Sequence, residues 1–278
     1  MRLTILCENC APVSFGITAE HGFSALLETA DGNILFDTGQ GTALINNAKL
    51  LGIDLSKVEM LVLSHGHKDH TGGIPSFFDL HTVRTVVAHP ACFEGKYSER
   101  KVGDQEIRLP IGIPWRKEDF ERKGVELKLS EELLEIAPNV WFSGEIPQIN
   151  NFEKGDPSLK VESLDRLKAD PFRDDASLFV RTEKGLSVIT GCAHRGIVNI
   201  VEHALKSFGK LQVCALIGGL HLMNADRERM EKTIEAIRKF NPAIVCAGHC
   251  TGLESASFIK QALGGTFQFM SVGQRFEL

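Results

Sequence analysis

Two hydrophobic repeats alternate along the chain. Residues 1–7 form an apolar run, and two more, 24–28 and 33–37, flank Ala30-Asp31-Gly32-Asn33, a turn composition. Together they predict three strands, the second and third joined as a hairpin. Leu44, Ile45, Ala48 and Leu51 then recur at helical spacing and predict a helix over 42–51. The apolar, β-branched run at 58–64 reads as a strand and 74–80 as the start of a helix. The run at 85–88 reads as a strand ending at His89-Pro90, where the proline fixes an extended turn and leaves His89 a loop histidine.

The same order returns at 176. Residues 177–181 and 186–190 read as strands around Glu183-Lys184-Gly185, followed by a helix with Ile197, Ile200, Val201, Ala204, Leu205 and Phe208 at helical spacing. A strand at 213–217, a helix over 225–240 with Met230, Ile234 and Ile237 on one face, a strand at 243–247, a short helix at 254–263 and a final strand at 266–271 complete the pattern. Three of these strands run into small residues and a histidine: Gly191-Cys192-Ala193-His194, Gly218-Gly219-Leu220-His221 and Gly248-His249-Cys250. Small residues let backbones approach closely at a strand tip. Strands that alternate with helices pack as sheets covered by helices, and such α/β sheets bind ligands beyond the carboxyl ends of their strands. With His65 after the 58–64 strand, four histidines reach such ends and point to one site. Between the two ordered stretches, 91–175 is charged and broken by Gly103, Pro110, Gly112, Pro114 and Pro138, with short strands expected at 125–129 and 140–143. We read 1–278 as one domain, with 91–175 as an insertion or lid that carries substrate selectivity.

The chemistry is concentrated in Ser64-His65-Gly66-His67-Lys68-Asp69-His70-Thr71-Gly72-Gly73, three histidines and an aspartate within six residues. Imidazole and carboxylate are ligands for zinc, manganese or iron. His65 and His67, two apart in extended backbone, point the same way and can clamp one metal. Asp69 and His70 follow the turn and can reach a second metal beside it. Two metals roughly 3.5–4 Å apart suit hydrolysis, because they make hydroxide at neutral pH and hold a charged intermediate.

His-x-His-x-Asp-His after an apolar strand resembles the signature of the metallo-β-lactamase superfamily. The fuller wording from Leu63 to Gly73 resembles the group related to 7,8-dihydropterin-6-methyl-4-(β-D-ribofuranosyl)-aminobenzene-5'-phosphate synthase. The resemblance implies an α/β fold, the αββα sandwich of two mixed sheets flanked by helices. It also implies a divalent cofactor, two zinc ions or else manganese or iron. His65, His67, Asp69 and His70 carry over as ligands, and His249 matches the last ligand position, on the second metal with Asp69 and His70. The histidine that many members carry in His-Thr-Pro-Gly before the 177–181 strand is missing, since Arg173-Asp174-Asp175-Ala176 stands there. His194 is therefore expected to complete the first metal, with Asp175 a ligand or a support behind one. Cys192 stands where many members have aspartate or cysteine, and is either a ligand or a buried thiol packed under the site. Asp37 is either a helix cap for the segment after Gly41 or the partner of a ligand histidine, and the resemblance favours the second. His21 is a surface residue or lies at the rim. His221 is at no usual ligand position; it contacts substrate, acts as general acid, or hydrogen-bonds within the site. His81 and His203 read as structural or solvated.

The activity implied is that of a metallohydrolase. A metal-held hydroxide attacks a phosphoryl or acyl centre of a small, phosphorylated, dihydropterin-like or phosphate-ester substrate, with Asp69 and His221 as its catalytic residues. A dihydropterin synthase is a related outcome. The alternative class is an iron-containing redox protein or a non-hydrolytic ligand-binding protein on the same fold. The formal net charge of −5 offers no basic surplus for nucleic acid, and no apolar run approaches the ~20 residues of a membrane span. With Glu8 and Asn9 interrupting the first apolar run, no signal peptide is expected, and the compartment implied is the cytoplasm. An oligomer is left open. Seven cysteines, an odd number set mostly in apolar strands, read as free thiols, and Cys7-Glu8-Asn9-Cys10 is a lone pair of them.

Overall fold

The computed structural model describes residues 1–14, 16–103, 105–163, 166–209 and 211–278. The N-terminal half supplies β1 (Arg2–Cys7), β2 (Ser24–Thr29), β3 (Gly32–Phe36), β4 (Val58–Val62) and β5 (Thr85–Ala88), with helices α1 (Ala43–Leu50), α2 (Lys68–Thr71) and α3 (Ile74–Leu80). The middle adds β6 (Lys96–Val102), β7 (Gln105–Pro110), α4 (Lys117–Arg122), β8 (Glu126–Leu129), β9 (Leu134–Ala137), β10 (Val140–Phe142), β11 (Leu159–Ser163) and β12 (Arg166–Ala169). The C-terminal half carries β13 (Ser177–Thr182), β14 (Gly185–Thr190), α5 (Ile197–Phe208), β15 (Val213–Gly219), α6 (Arg227–Phe240), β16 (Ile244–Gly248), α7 (Leu253–Leu263), β17 (Phe267–Phe269) and β18 (Arg275–Glu277).

Alternation along the strands decides the layers. Leu35, Leu61 and Leu63 turn to one side and pack on Leu44 of α1 and Phe77 of α3. Phe36 and Val62 turn to the other and meet Leu178, Ile189 and Ile217 of a second sheet. The outer face of that sheet buries Val188, Leu216 and Val245 against Ile200, Ile234 and Ile259 of α5, α6 and α7. The result is the expected αββα sandwich. Its first sheet runs β18-β1-β2-β3-β4-β5-β8 and its second β17-β16-β15-β14-β13-β10-β9. Both are mixed: β3, β4, β5 and β8 are parallel, as are β14 to β17, and the remaining pairs are antiparallel. The parallel strands all deliver their carboxyl ends to one rim.

Within 91–175 the strands expected at 125–129 and 140–143 are present as β8 and β10, while the expectation for the last strand is corrected. The stretch divides: α4 and β8 to β10 belong to the two main layers, while β6, β7, β11 and β12 form a separate four-stranded antiparallel sheet. Positions 104, 164 and 165 lie outside the described residues. The strand expected at 266–271 shortens to β17 and is not the last, because β18 follows and pairs antiparallel with β1. The third sheet is strapped to the signature loop by a bridge between His67 and Gly112 and by the Lys68 N–H donated to Ile111 O at 2.7 Å.

Candidate metal centre

The loops after β3, β4, β14, β15 and β16 meet at the common rim. Four non-glycine residues there adopt left-handed backbone: Asp37 (φ 60°), Ala193 (φ 59°), His221 (φ 47°) and His249 (φ 48°). Such conformations cost on the order of 1–3 kcal/mol each and persist only where surrounding packing imposes them. Each fully buried Leu, Ile or Phe in the cores beneath contributes about 1.5–3 kcal/mol, which outweighs that strain. Gly191 is required where it stands, since a Cβ there would lie 2.2 Å from Ser64 Oγ and 3.0 Å from Asp37 Oδ2.

Asp37 organises the signature loop from behind. Its carboxylate accepts the Ser64 N–H at 2.7 Å, the Ser64 hydroxyl at 2.6 Å and His70 Nδ1–H at 2.7 Å. The helix-cap reading of Asp37 is thereby corrected: α1 is preceded by Thr42, with no side-chain cap. Because the Ser64 proton goes to Asp37, the 2.9 Å contact between Ser64 Oγ and His65 Nδ1 makes His65 the donor. His249 Nδ1 donates to Asn9 Oδ1 at 2.9 Å, and its backbone N–H goes to the buried Glu8 carboxylate. His65, His70 and His249 are thus all fixed through Nδ1, which leaves each Nε2 with a free lone pair.

Those lone pairs converge. His70 Nε2 is 3.1 Å from His249 Nε2 and 3.1 Å from Cys192 Sγ, and His65 Nε2 is 3.2 Å from His194 Nε2. Asp69 Oδ2 lies 3.3 Å from His249 Nε2. Asp69, His70, Cys192 and His249 form one group of donors that could hold a metal ion. His65 and His194 form another with Cys192, and His65, His67 and Asp69 a third. Cys192 joins the two sides. His67 Nε2 is buried with no hydrogen-bond partner.

Electrostatics fit a cation. Burial and neighbouring imidazoles push His65 and His194 far below the ordinary histidine range, and burial with Lys96 takes His67 down to about 4, so all three offer neutral nitrogen. Burial also opposes charge on His70, yet Asp69 and Asp37 outweigh it and lift its pKa to about 9. A divalent ion, if bound at Nε2, would take the place of that proton. Burial raises Asp69, but His70, His21 and His249 together hold it well below the usual carboxylate range. Orphaned nitrogen, facing lone pairs and a permanently ionised carboxylate are what a divalent ion requires.

The remaining candidates fall around this group. His21 lies at the rim, its Nε2 3.3 Å from Asp69 Oδ2. The His194 ring stacks on Phe172 with centroids 4.5 Å apart, and on its other side approaches His221 at 4.2 Å. His221 Nδ1 has no partner, and the residue lines the cavity beside the donors. Asp175 is in none of these donor groups: its Oδ2 accepts the Arg195 N–H at 2.9 Å and steadies the loop that carries His194, while among the described residues its buried Oδ1 has no hydrogen-bond partner. Cys250 touches both Cys192 and His221, whose neighbourhood draws its thiol down while burial pushes Cys192 up. His89 stands in the loop after β5, as expected, and is buried there, its Nδ1 accepting the Ala91 N–H at 3.0 Å. His203 Nε2 donates to Ser143 O at 3.2 Å. Cys7 and Cys10 are free thiols, both pushed up by burial and nearby carboxylates, opposite to what a reactive redox thiol needs. Sequence reasoning missed Glu8, Asn9 and the Lys96–Asp170–Asp174 cluster. Glu8 had a signal: a carboxylate at the tip of an otherwise apolar strand.

The donors open into a cavity of about 900 Å³. One wall comes from the third sheet, through Ser98, Arg100, Leu109 and Leu159, and another from the loops after β14, β15 and β16 with the first turn of α6. Its cationic side chains are Lys68, Arg100, Lys154 and Arg229. Among the described residues, no helix is long and apolar enough to cross a membrane.

The family model described as the metallo-beta-lactamase superfamily matches residues 17–249. A curated relative from Methanocaldococcus jannaschii, named 7,8-dihydropterin-6-methyl-4-(beta-D-ribofuranosyl)-aminobenzene-5'-phosphate synthase, is 32% identical over 285 residues, covering 99% of this chain and 95% of the relative. Among solved structures, a metal-dependent hydrolase of the beta-lactamase superfamily superposes with a TM-score of 0.83 at 29% identity, over 100% of this chain and 99% of the other. Zinc-bound PqqB from Methylobacterium extorquens shares the fold at a TM-score of 0.60 and 10% identity, over the whole of both chains.

Proposed function

The chain belongs to the metallo-β-lactamase superfamily, and on that premise we propose that it is a metal-dependent hydrolase of small phosphorylated substrates. The observation that carries this reading is the convergence of His65, His70, His194 and His249 through free Nε2 atoms around one thiol, Cys192. His65, His67 and His194 would hold one divalent ion, Asp69, His70 and His249 a second, with Cys192 between them. When bound, the ions supply Lewis acidity, which lowers the pKa of water and polarises a phosphoryl or carbonyl oxygen.

The chain's own residues do the rest. Asp37 and Ser64 set the tautomers of His70 and His65 and stop the rings from turning. His221, beside the donors and with Nδ1 unpartnered, is placed to pass a proton to a leaving-group oxygen. Lys68, Arg100 and Lys154 give the cavity a cationic lining on a chain of net charge −5, which favours an anionic substrate. A volume of about 900 Å³ suits a small molecule. A second reading, a synthase reaction forming a phosphorylated product, is favoured by the name of the relative at 32% identity; the fold alone does not choose between the two.

The test strips the protein with a chelator and reloads it separately with zinc, manganese and iron. Metal content and hydrolysis of bis(p-nitrophenyl) phosphate are then followed. Turnover that returns with one ion supports hydrolysis. Stoichiometric metal uptake without turnover on any ion overturns it in favour of the synthase reading.

A further inference from the structure

Arg229, in the first turn of α6, is an incompletely paired cation on the cavity wall. Its Nη1 donates to Lys154 O at 3.1 Å, while Nε and Nη2 are shielded from solvent and have no partner among the described residues. Three carboxylates lie near enough to act on its charge, Glu153, Asp226 and Asp156, and each is committed elsewhere. Glu153 accepts the Val198 and Asn199 N–H groups at 2.9 and 2.8 Å and Asn150 Nδ2 at 2.8 Å, and so caps α5. Asp226 caps α6 by accepting the Arg229 N–H at 2.8 Å. Asp156 accepts the Ser158 N–H and hydroxyl at 2.8 and 2.6 Å. Among the described residues, none forms an ion pair with the guanidinium.

A guanidinium removed from water without an anion is costly, and the penalty is removed when a hydrogen-bonded counterion arrives. The missing counterion can come from the cavity, since Arg229 and His221 line the same wall. His221 adjoins both parties: its ring is 4.2 Å from His194, and its charge is opposed by Arg229.

We propose that Arg229 is the anchor of a phosphate subsite that binds a second anionic group of the substrate. The Nε–Nη2 edge is a planar fork that matches two phosphate oxygens. Lys154, whose carbonyl holds Nη1, adds a second cation at the same place. The proposal rests on the reading that the cavity receives the substrate, but it does not depend on the reaction being hydrolysis.

Inorganic phosphate is titrated calorimetrically into the full-length protein, first metal-loaded and then chelator-stripped, for wild type, R229Q and R229K, with circular dichroism as the check that each is folded. The expected result is phosphate binding that survives stripping, weakens tenfold or more in R229Q and is partly kept in R229K. Phosphate binding to R229Q as tight as to wild type, or binding that vanishes altogether on stripping, overturns the subsite while leaving the hydrolase reading intact. Arg229-dependent binding in a protein that hydrolyses nothing overturns the hydrolase reading and leaves the subsite standing.

Discussion

Lys96 Nζ lies 2.9 Å from Asp174 Oδ1, and the other oxygen of that carboxylate accepts the Gly66 N–H at 2.8 Å. A lysine of the third sheet thus holds the peptide between His65 and His67 through one aspartate. Lys96 is only 2% exposed and also pairs with Asp170 at 2.7 Å. Gly66 is pressed so closely that an added Cβ would lie 2.1 Å from Cys92 O.

Removing the cation should leave two buried carboxylates without a counter-charge. K96M is expected to lose about 3–5 kcal/mol of stability, read from urea unfolding. Adding D170N and D174N to K96M should recover part of that loss. If K96M unfolds at the wild-type midpoint, the cluster has no structural role.

Asp37 touches no donor position of its own, yet it fixes His70. D37N keeps the shape but presents an amide to the ring. Metal affinity at the His70 side is expected to fall about 10–100-fold, measured by competition with a chromophoric chelator, with metal binding at the opposite side less affected.

Asp69 is the ionised carboxylate among the donors. D69A is expected to keep its fold by circular dichroism, to retain less metal by elemental analysis, and to hydrolyse bis(p-nitrophenyl) phosphate at no more than a few per cent of the wild-type rate. Activity well above that level would remove Asp69 from the mechanism.

If His221 protonates the leaving group, its value depends on how badly that group needs a proton. H221Q is expected to lower kcat by about 10²–10⁴ with an alkyl phosphate ester. With p-nitrophenolate, which leaves unprotonated, the loss should be no more than severalfold. Equal losses with both esters would assign His221 to positioning.

Burial, reinforced by the charge of Asp174, raises Asp175 to about 7 despite hydrogen bonds from Arg195 and His194. A carboxyl group whose folded pKa lies above its ordinary 3.8 favours the fold below that value, and the benefit is lost as pH rises towards 7. Metal-free wild type should therefore lose stability against D175N between about pH 4 and 7.5, by a few kcal/mol, in paired urea melts. A constant difference across that range would show that the carboxyl is already ionised at pH 4.

The parts of this protein that were legible in its sequence are those where one physical demand dominates. The signature loop was readable because four donors in six residues serve no packing purpose. The strand–histidine–helix units were readable because each strand is buried on both faces and each helix carries one apolar stripe. The third sheet was hidden for the opposite reason. β7 is exposed along its whole length and β12 nearly so, so neither shows a buried period. Lys96 reads as surface in any sequence, and only the arrival of Asp170 and Asp174 from more than 70 residues away makes it interior. Arg227, Arg229 and Arg238 look alike on paper; the cavity and the three engaged carboxylates set Arg229 apart. β18 is three residues long, too short for any repeat to reveal it. Whether Cys192 packs under the site or faces the histidines could not be read until its 3.1 Å distance to His70 Nε2 was known.

The pairing of β1 with β18 bears on how the protein is made. A ribosome releases the chain at about 5–20 residues per second, so β1 waits some tens of seconds before residues 275–277 arrive to cover its outer edge. Glu8 and Asn9, just beyond β1, wait nearly as long for His249. During that interval the nascent chain presents an uncovered strand edge, a template for association with other chains, beside an unfinished cluster of histidines and cysteines. A newly made molecule thus acquires its protected edge and its complete ligand cradle at nearly the same moment, and premature release anywhere before residue 249 leaves both undone.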